Sequence, residues 1–305
     1  MRYRFIINRH SGRKIGNRRI LDMEKYFQSA IGSFEYVLPE GRDDAIRLTR
    51  ESLKEGFNRI IAVGGDGTVN AVVNGFFENG KPINSGASLV VTREGSGWDY
   101  YSSITKYKNT RNWMELVADS EVRAVDVGYA SYGDHAMAGQ YFVNMASIGL
   151  TAEIVEKKEK ASDLIHINLR YILPTMIGLF EAHPKEVEIV MDKETVRREV
   201  LAVTVSKGSY AGNGMNFGLN VALDDGRFEI TVIEKSNPFY MLYSLGKLFT
   251  GNYLSVRGIS KYSAKRLELR APKPLGSEID GELYGSTDMM IDLLPKALNV
   301  CFPMK

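Results

Sequence analysis

Over roughly the first 125 residues, short apolar runs alternate with stretches of helical length. Phe5-Ile6-Ile7, Phe34 to Leu38, Arg59 to Val63 and Ala87 to Val91 are bounded by glycine and polar residues. Runs this short and continuous suit strands buried on both faces. Between them lie amphipathic segments near 18–30, 42–55 and 67–79. In the last, Val69, Val72, Val73, Phe76 and Phe77 recur at helical spacing and share one face. Strands alternating with helices predict parallel βαβ units. Beyond about residue 125 the period changes. Val187 and Ile189 alternate with Glu186 and Glu188, Phe228, Ile230 and Val232 with Glu229 and Thr231, and Leu267 and Leu269 with Glu268 and Arg270. Period two marks half-exposed antiparallel strands. Helices are expected near Ser162–Glu181, with Pro174 kinking or ending it, and near Pro238–Phe249. The predicted class is α/β plus β, with an α/β domain over 1–124, a β-rich domain over 125–295, and 296–305 free to return to the first.

Composition narrows the function classes. The 305 residues are 44% hydrophobic and 25% charged, which excludes a disordered chain. Thirty-nine Lys and Arg against 37 Asp and Glu give a net charge of +2, so bulk charge offers no case for a nucleic-acid partner. One cysteine, Cys301, excludes an internal disulfide framework and any cysteine-based zinc site. It lies in an apolar run and reads as a buried small hydrophobe. No segment has the apolar length of a spanning helix, and the start reads as a first strand. A cytoplasmic protein is the expectation, with peripheral contact at the inner membrane face left open.

The chemistry concentrates in Ile60-Ile61-Ala62-Val63-Gly64-Gly65-Asp66-Gly67-Thr68-Val69-Asn70. A buried strand enters a glycine-rich turn and then an amphipathic helix. Glycines let the backbone approach a phosphate, and the helix start offers N–H groups and a positive dipole end. Asp66 would repel phosphate, which makes sense if it meets Mg²⁺ or a substrate hydroxyl. The alternative is a tight βα turn with Asp66 as a plain N-cap. Gly75 to Pro82 has the spacing of a Walker A loop but ends in proline and follows a helix, so it fails on context.

Several motifs then carry a resemblance. Gly64-Gly65-Asp66-Gly67-Thr68 resembles the GGDGT loop of the diacylglycerol kinase, sphingosine kinase and NAD kinase superfamily. Asn8-Arg9-His10-Ser11-Gly12 resembles the opening block of the lipid-kinase branch, with Arg9 in place of proline. Val125-Asp126-Val127-Gly128, Tyr141 to Gly149, Gly212 to Met215 with Leu223-Asp224-Asp225-Gly226, and Asp280-Gly281-Glu282 resemble further blocks, in order, over nearly the whole chain. The resemblance implies an ATP- and Mg²⁺-dependent kinase acting on a hydroxyl of diacylglycerol or a related lipid. It implies a β-sandwich second domain that binds the lipid, with ATP in the cleft between domains. Asn8, Ser11, Gly64, Gly65, Asp66, Gly67, Thr68, Asn70 and Ser96 would line the nucleotide site. Glu282, or in second place Asp280, would be the general base, with Asp66 also catalytic. Asp99 would stand near the lipid headgroup. Asp225 with the carbonyls of Ala222 and Arg227 would hold a structural Mg²⁺, and Asp224 to Arg227 also reads as a hairpin turn.

The block Thr92 to Ser102 departs from the family. Trp98 stands for an asparagine and Ser102 for an arginine, which removes a carboxamide and a guanidinium on the acceptor side. Arg13 or Lys14 would hold phosphate charge, unless they form a plain exposed basic loop. Candidate apolar access lies in Leu164, Ile165, Ile167, Leu169, Ile172, Leu173, Met176, Ile177 and Phe180, and in Phe239 to Leu242. Lys157, Lys158 and Lys160 are candidates for anionic headgroups, with a solvated helix face as the competing reading. Two alternatives stand beside the lipid kinase: an NAD kinase-like enzyme, and a non-catalytic nucleotide- or lipid-binding protein. The expected partners are a lipid substrate and a transient membrane contact, with a homodimer left open and no nucleic acid.

Overall fold

The computed structural model describes residues 1–11, 15–95, 97–105, 113–133, 139–159, 175, 177, 178, 181–212, 214–216, 221–248, 250–252 and 255–304. The chain divides into two units, one of residues 1–126 with 295–305 and one of residues 127–294.

In the first unit the apolar runs become strands of one parallel sheet. In chain order these are β1 (Tyr3–Ile7), α1 (Asn17–Ile31), β2 (Glu35–Val37), α2 (Arg42–Lys54), β3 (Arg59–Val63) and α3 (Asp66–Phe76). A two-strand hairpin follows, β4 (Phe77–Glu78) and β5 (Lys81–Pro82), then β6 (Ser88–Val91), α4 (Asp99–Thr105) and α5 (Met114–Ala118). The pattern extends α3 to residue 79, whereas the helix ends at Phe76. Asn79 and Gly80 take φ of +51° and +78°, a left-handed pair that closes a tight hairpin instead. β3 pairs in parallel with β1 and β6, and β1 with β2. Residues 59–63 are all buried, as a central strand of a parallel sheet requires. Phe5 packs against Phe27 and Phe34, each at a 4.7 Å ring separation, tying α1 to the sheet.

The chain leaves this unit within β7 (Glu121–Tyr132). The second unit holds β8 (Gln140–Phe142), β9 (Met145–Gly149), α6 (Leu150–Glu159), β10 (Lys185–Met191), β11 (Thr195–Ser206), β12 (Tyr210–Ala211) and β13 (Met215–Asn216). It continues with β14 (Phe228–Glu234), α7 (Pro238–Leu248), β15 (Ile259–Ala264), β16 (Arg266–Arg270), β17 (Gly276–Ile279) and β18 (Glu282–Ser286), and ends in β19 (Met289–Phe302). Its pairings are antiparallel: β10 with β11 and β16, β11 with β9 and β14, β14 with β15, and β17 with β9 and β18. The inward side chains of the alternating strands form one core, including Val187, Ile189, Val203, Phe228, Ile230, Leu267 and Leu269. The C-terminal end of β19 belongs to the first unit, where Asn299 and Val300 pair in parallel with Ser88 and Leu89 of β6. The backbone N–H of Lys296 donates to buried Asp126 at 2.9 Å, fixing this return beside the point where the chain departs.

Candidate active site

In the first unit, β1, β3 and β6 end side by side and release Asn8, Gly64 and Thr92. Ligands of open α/β sheets bind outside these carboxyl ends. Gly65 is the N-cap residue of α3 and makes no side-chain capping bond. Asp66 is the first helical residue. Its carboxylate accepts the backbone N–H groups of Asp99 and Tyr100 at 3.0 and 3.2 Å. The plain N-cap alternative for Asp66 is therefore replaced: it caps α4 and binds the next loop to this one.

The other loop residues interlock. The Asn8 amide donates to Thr68 Oγ1 at 3.0 Å, and the Gly65 N–H donates to Ser11 Oγ at 2.8 Å. Thr92 accepts from the Gly64 N–H and donates to the Ala62 carbonyl. The loop after β6 lies directly on the glycine turn: a Cβ on Gly95 would fall 2.2 Å from Gly65 Cα. Asn8, Ser11, Gly64, Gly65, Asp66, Gly67 and Thr68 thus share one cluster. Gly65 to Gly67 are half-buried, so the turn reaches the surface. A glycine turn entering an eleven-residue helix with no side-chain cap fits an anionic phosphate group. Ser96, Arg13 and Lys14 lie outside the described residues.

Asn70 stands on the helix that follows this turn. It is buried one turn into α3, and its carboxamide oxygen accepts from Arg42 at 2.7 Å and from Asn74 at 3.2 Å. Arg42, at the start of α2, was not flagged by the motif, because nothing in the sequence marks which arginine faces Asn70. Asp99 is buried at the start of α4. In the block that departs from the family, the Arg93 guanidinium sits 3.6 Å over the Trp98 ring, and Glu94 accepts from Arg19 and from the Trp113 indole N–H, both outside the block.

In the second unit, Asp280-Gly281 forms a two-residue turn between β17 and β18, with Ile279 opposite Glu282. Both turn residues have positive φ, +49° and +85°, as a type I′ hairpin demands. The Asp280 carboxylate accepts the backbone N–H groups of Val143, Asn144 and Met145 at 3.2, 3.1 and 2.9 Å. Asp280 N–H donates to the Met145 carbonyl at 2.8 Å. These bonds make Asp280 an anchor of the turn. Glu278, missed by the sequence reading, is buried, accepts from Ser147 at 2.6 Å and from the Gly281 N–H at 2.8 Å, and holds the turn from its other side. Glu282 opens β18, half-buried, as the first residue past the clamped turn. Burial pushes the nearby Tyr132 hydroxyl, which is hydrogen-bonded to Ser277 at 2.9 Å, up to about 12.

The expected metal site does not fit. The Asp225 carboxylate and the Ala222 and Arg227 carbonyls converge as the motif implied, but they converge on the ammonium of Lys207, at 2.8, 2.9 and 2.9 Å. Among the described residues there is no group of three or more His, Cys, Asp and Glu side chains that could hold a metal ion.

Among the lipid-side candidates, Lys157 pairs with Glu181 at 2.8 Å. Met241 is core, whereas Phe239 and Tyr243 on α7 are 73% and 72% exposed. Ile177 is exposed. Lys160, Leu164, Ile165, Ile167, Leu169, Ile172, Leu173, Met176 and Phe180 lie outside the described residues, as do Pro174 and the side chains of Lys158 and Leu242. No helix of the described residues is long and apolar enough to cross a membrane.

Comparison with known proteins agrees with this architecture. Residues 2–130 match the diacylglycerol kinase catalytic domain, and residues 144–302 match the YegS C-terminal NAD kinase beta sandwich-like domain. A diacylglycerol kinase of Bacillus subtilis (strain 168) is 25% identical over 303 residues, covering 99% of this chain and 96% of that protein. A Shewanella frigidimarina protein named "Probable lipid kinase YegS-like" is 23% identical over 264 residues, covering 85% and 81%. A crystal structure from Bacillus anthracis str. Sterne, described as a candidate diacylglycerol kinase, has the same fold, with a TM-score of 0.79 at 24% identity over 99% of this chain and 97% of that one. The chain belongs to the diacylglycerol kinase and YegS-like lipid kinase family.

Proposed function

We propose that this chain transfers the γ-phosphate of ATP, with Mg²⁺, to a hydroxyl of diacylglycerol or a related lipid. The observation that carries the reading is the cluster of Asn8, Ser11 and Gly64 to Thr68 at the uncapped start of α3, within the region matched by the diacylglycerol kinase catalytic domain. Phosphoryl transfer asks a protein mainly for positioning and charge stabilisation. Bound Mg²⁺ would offset phosphate charge. The Gly65–Gly67 backbone and the α3 dipole would hold the phosphates, with Asn8 and Ser11 fixing the turn. Asp66 acts on the turn's shape, because its carboxylate is engaged by α4. Glu282 is the base that orients the acceptor hydroxyl, held at a fixed height by Asp280 and Glu278. A lipid acceptor also calls for contact with a membrane surface, for which exposed Phe239 and Tyr243 are suited. The experiment is transfer of radiolabelled γ-phosphate from Mg-ATP into mixed micelles of lipid hydroxyls, with NAD as a parallel acceptor. Label in an organic-extractable product supports the reading. Label on NAD alone, or ATP binding without transfer to any acceptor, contradicts it.

A further inference from the structure

Lys207 follows directly on β11 and is fully buried, a rare place for a lysine. A buried ammonium is costly unless it is paired and hydrogen-bonded. An ammonium carries three N–H donors, and three oxygens stand within 2.9 Å of this one. One is the Asp225 carboxylate, which supplies the compensating charge, and two are backbone carbonyls on either side of it in the 222–227 turn. A carboxylate and two carbonyls converging on one point is also the donor set of a hard divalent cation. The nitrogen occupies that point, at N–H···O distances rather than at the 2.0–2.6 Å typical of Mg²⁺ or Ca²⁺.

The same lysine reaches the catalytic hairpin through its backbone. Its N–H and that of Gly208 both donate to the Asn144 carbonyl at 2.8 Å. The Asn144 N–H in turn donates to Asp280. The 222–227 turn, Lys207, Asn144 and the Asp280 turn are therefore one connected network.

We propose that the Lys207 ammonium is the permanent internal cation of this unit. It holds the 222–227 turn in place of a divalent metal ion, and the folded chain takes up no metal at Asp225. The inference goes beyond the kinase reading and does not depend on it, since its readouts need neither ATP nor lipid.

The test uses the nucleotide-free chain of 305 residues. Metal content after exhaustive dialysis, and melting temperature with EDTA or with millimolar Mg²⁺ or Mn²⁺, are expected to show no bound metal and no shift. Lys207→Ala leaves the oxygens facing an empty space, and the melting temperature is expected to fall by on the order of 10 °C. Part of that loss should return on adding Mg²⁺ or methylammonium. Lys207→Met, whose stem still fills the space, should lose stability without recovery. Stoichiometric metal in the wild-type chain would overturn the proposal. So would a Mg²⁺-dependent rise in its melting temperature that Asp225→Asn abolishes, or a Lys207→Ala variant as stable as the wild type. If Lys207→Ala does not fold, the wild-type metal content and titration decide the matter.

Discussion

Tyr132 shows at the scale of one residue how burial becomes a pH dependence. Its hydroxyl is raised from 10.0 to about 12, first by burial, with the Ser277 hydrogen bond opposing and Tyr284 and Glu278 adding to the rise. Below about pH 10 the tyrosine is neutral in both folded and unfolded chains, and its full contribution is present. Between about 10 and 12 the unfolded chain has lost a proton that the folded chain keeps, so stability falls as pH rises, by at most about 3 kcal/mol. The melting temperature of the wild type relative to Tyr132→Phe is expected to decline across that window, and parallel curves would contradict it. Residue chemistry was unevenly legible. The glycine loop could be read because close approach to a phosphate demands a contiguous run of residue types. Lys207 could not, since a lysine at the end of an alternating strand looks like any surface lysine until Asp225 is folded onto it. The same holds for Arg42 on Asn70 and for Glu278 under Gly281.

Elements were more legible than their ends. The strand at 59–63 and the helices near 17 and 42 follow from apolar period alone, because burial on both faces or on one stripe leaves that signature. The helix at Asp66 runs three residues short of its pattern because Asn79-Gly80 closes a hairpin, a local turn preference that overrides the apolar face. The contact of the glycine turn with the loop after β6 was invisible in sequence, since it joins backbone to backbone. It yields a sharp expectation. Gly95→Ala places a methyl carbon 2.2 Å from Gly65 Cα, with backbone on both sides and no flexible side chain to yield. The two loops must part, and ATP affinity measured by calorimetry should drop at least tenfold, roughly 1.4 kcal/mol. Unchanged affinity would mean that these loops do not shape the nucleotide site.

The whole chain combines a parallel α/β unit with an antiparallel β unit, and the C-terminal strand returns to the first. The change of period near residue 125 signals that division. The return of residues 296–305 was left open in the sequence, because a single strand carries no mark of its partner, and the pairing with β6 makes it. On the proposed reading the chain also meets a membrane surface, and Phe239 and Tyr243 stand one helical turn apart on α7, both exposed. The double variant Phe239→Ala, Tyr243→Ala should nearly keep its melting temperature, because both side chains are largely exposed. Its rate on vesicle-borne lipid should fall several-fold, while a short-chain monomeric lipid is turned over as before. Equal losses on both substrates would assign α7 to something other than membrane contact.

The central claim is that phosphoryl transfer to a lipid hydroxyl depends on Glu282, presented by a turn that Asp280 and Glu278 clamp. The most direct measurement is single-turnover transfer of γ-phosphate from pre-bound Mg-ATP to micellar diacylglycerol, in the wild type and in Glu282→Gln. The expected result is a rate lower by about 10²–10⁴-fold in the variant, with ATP affinity and melting temperature unchanged. Transfer at the wild-type rate in Glu282→Gln would contradict the assignment.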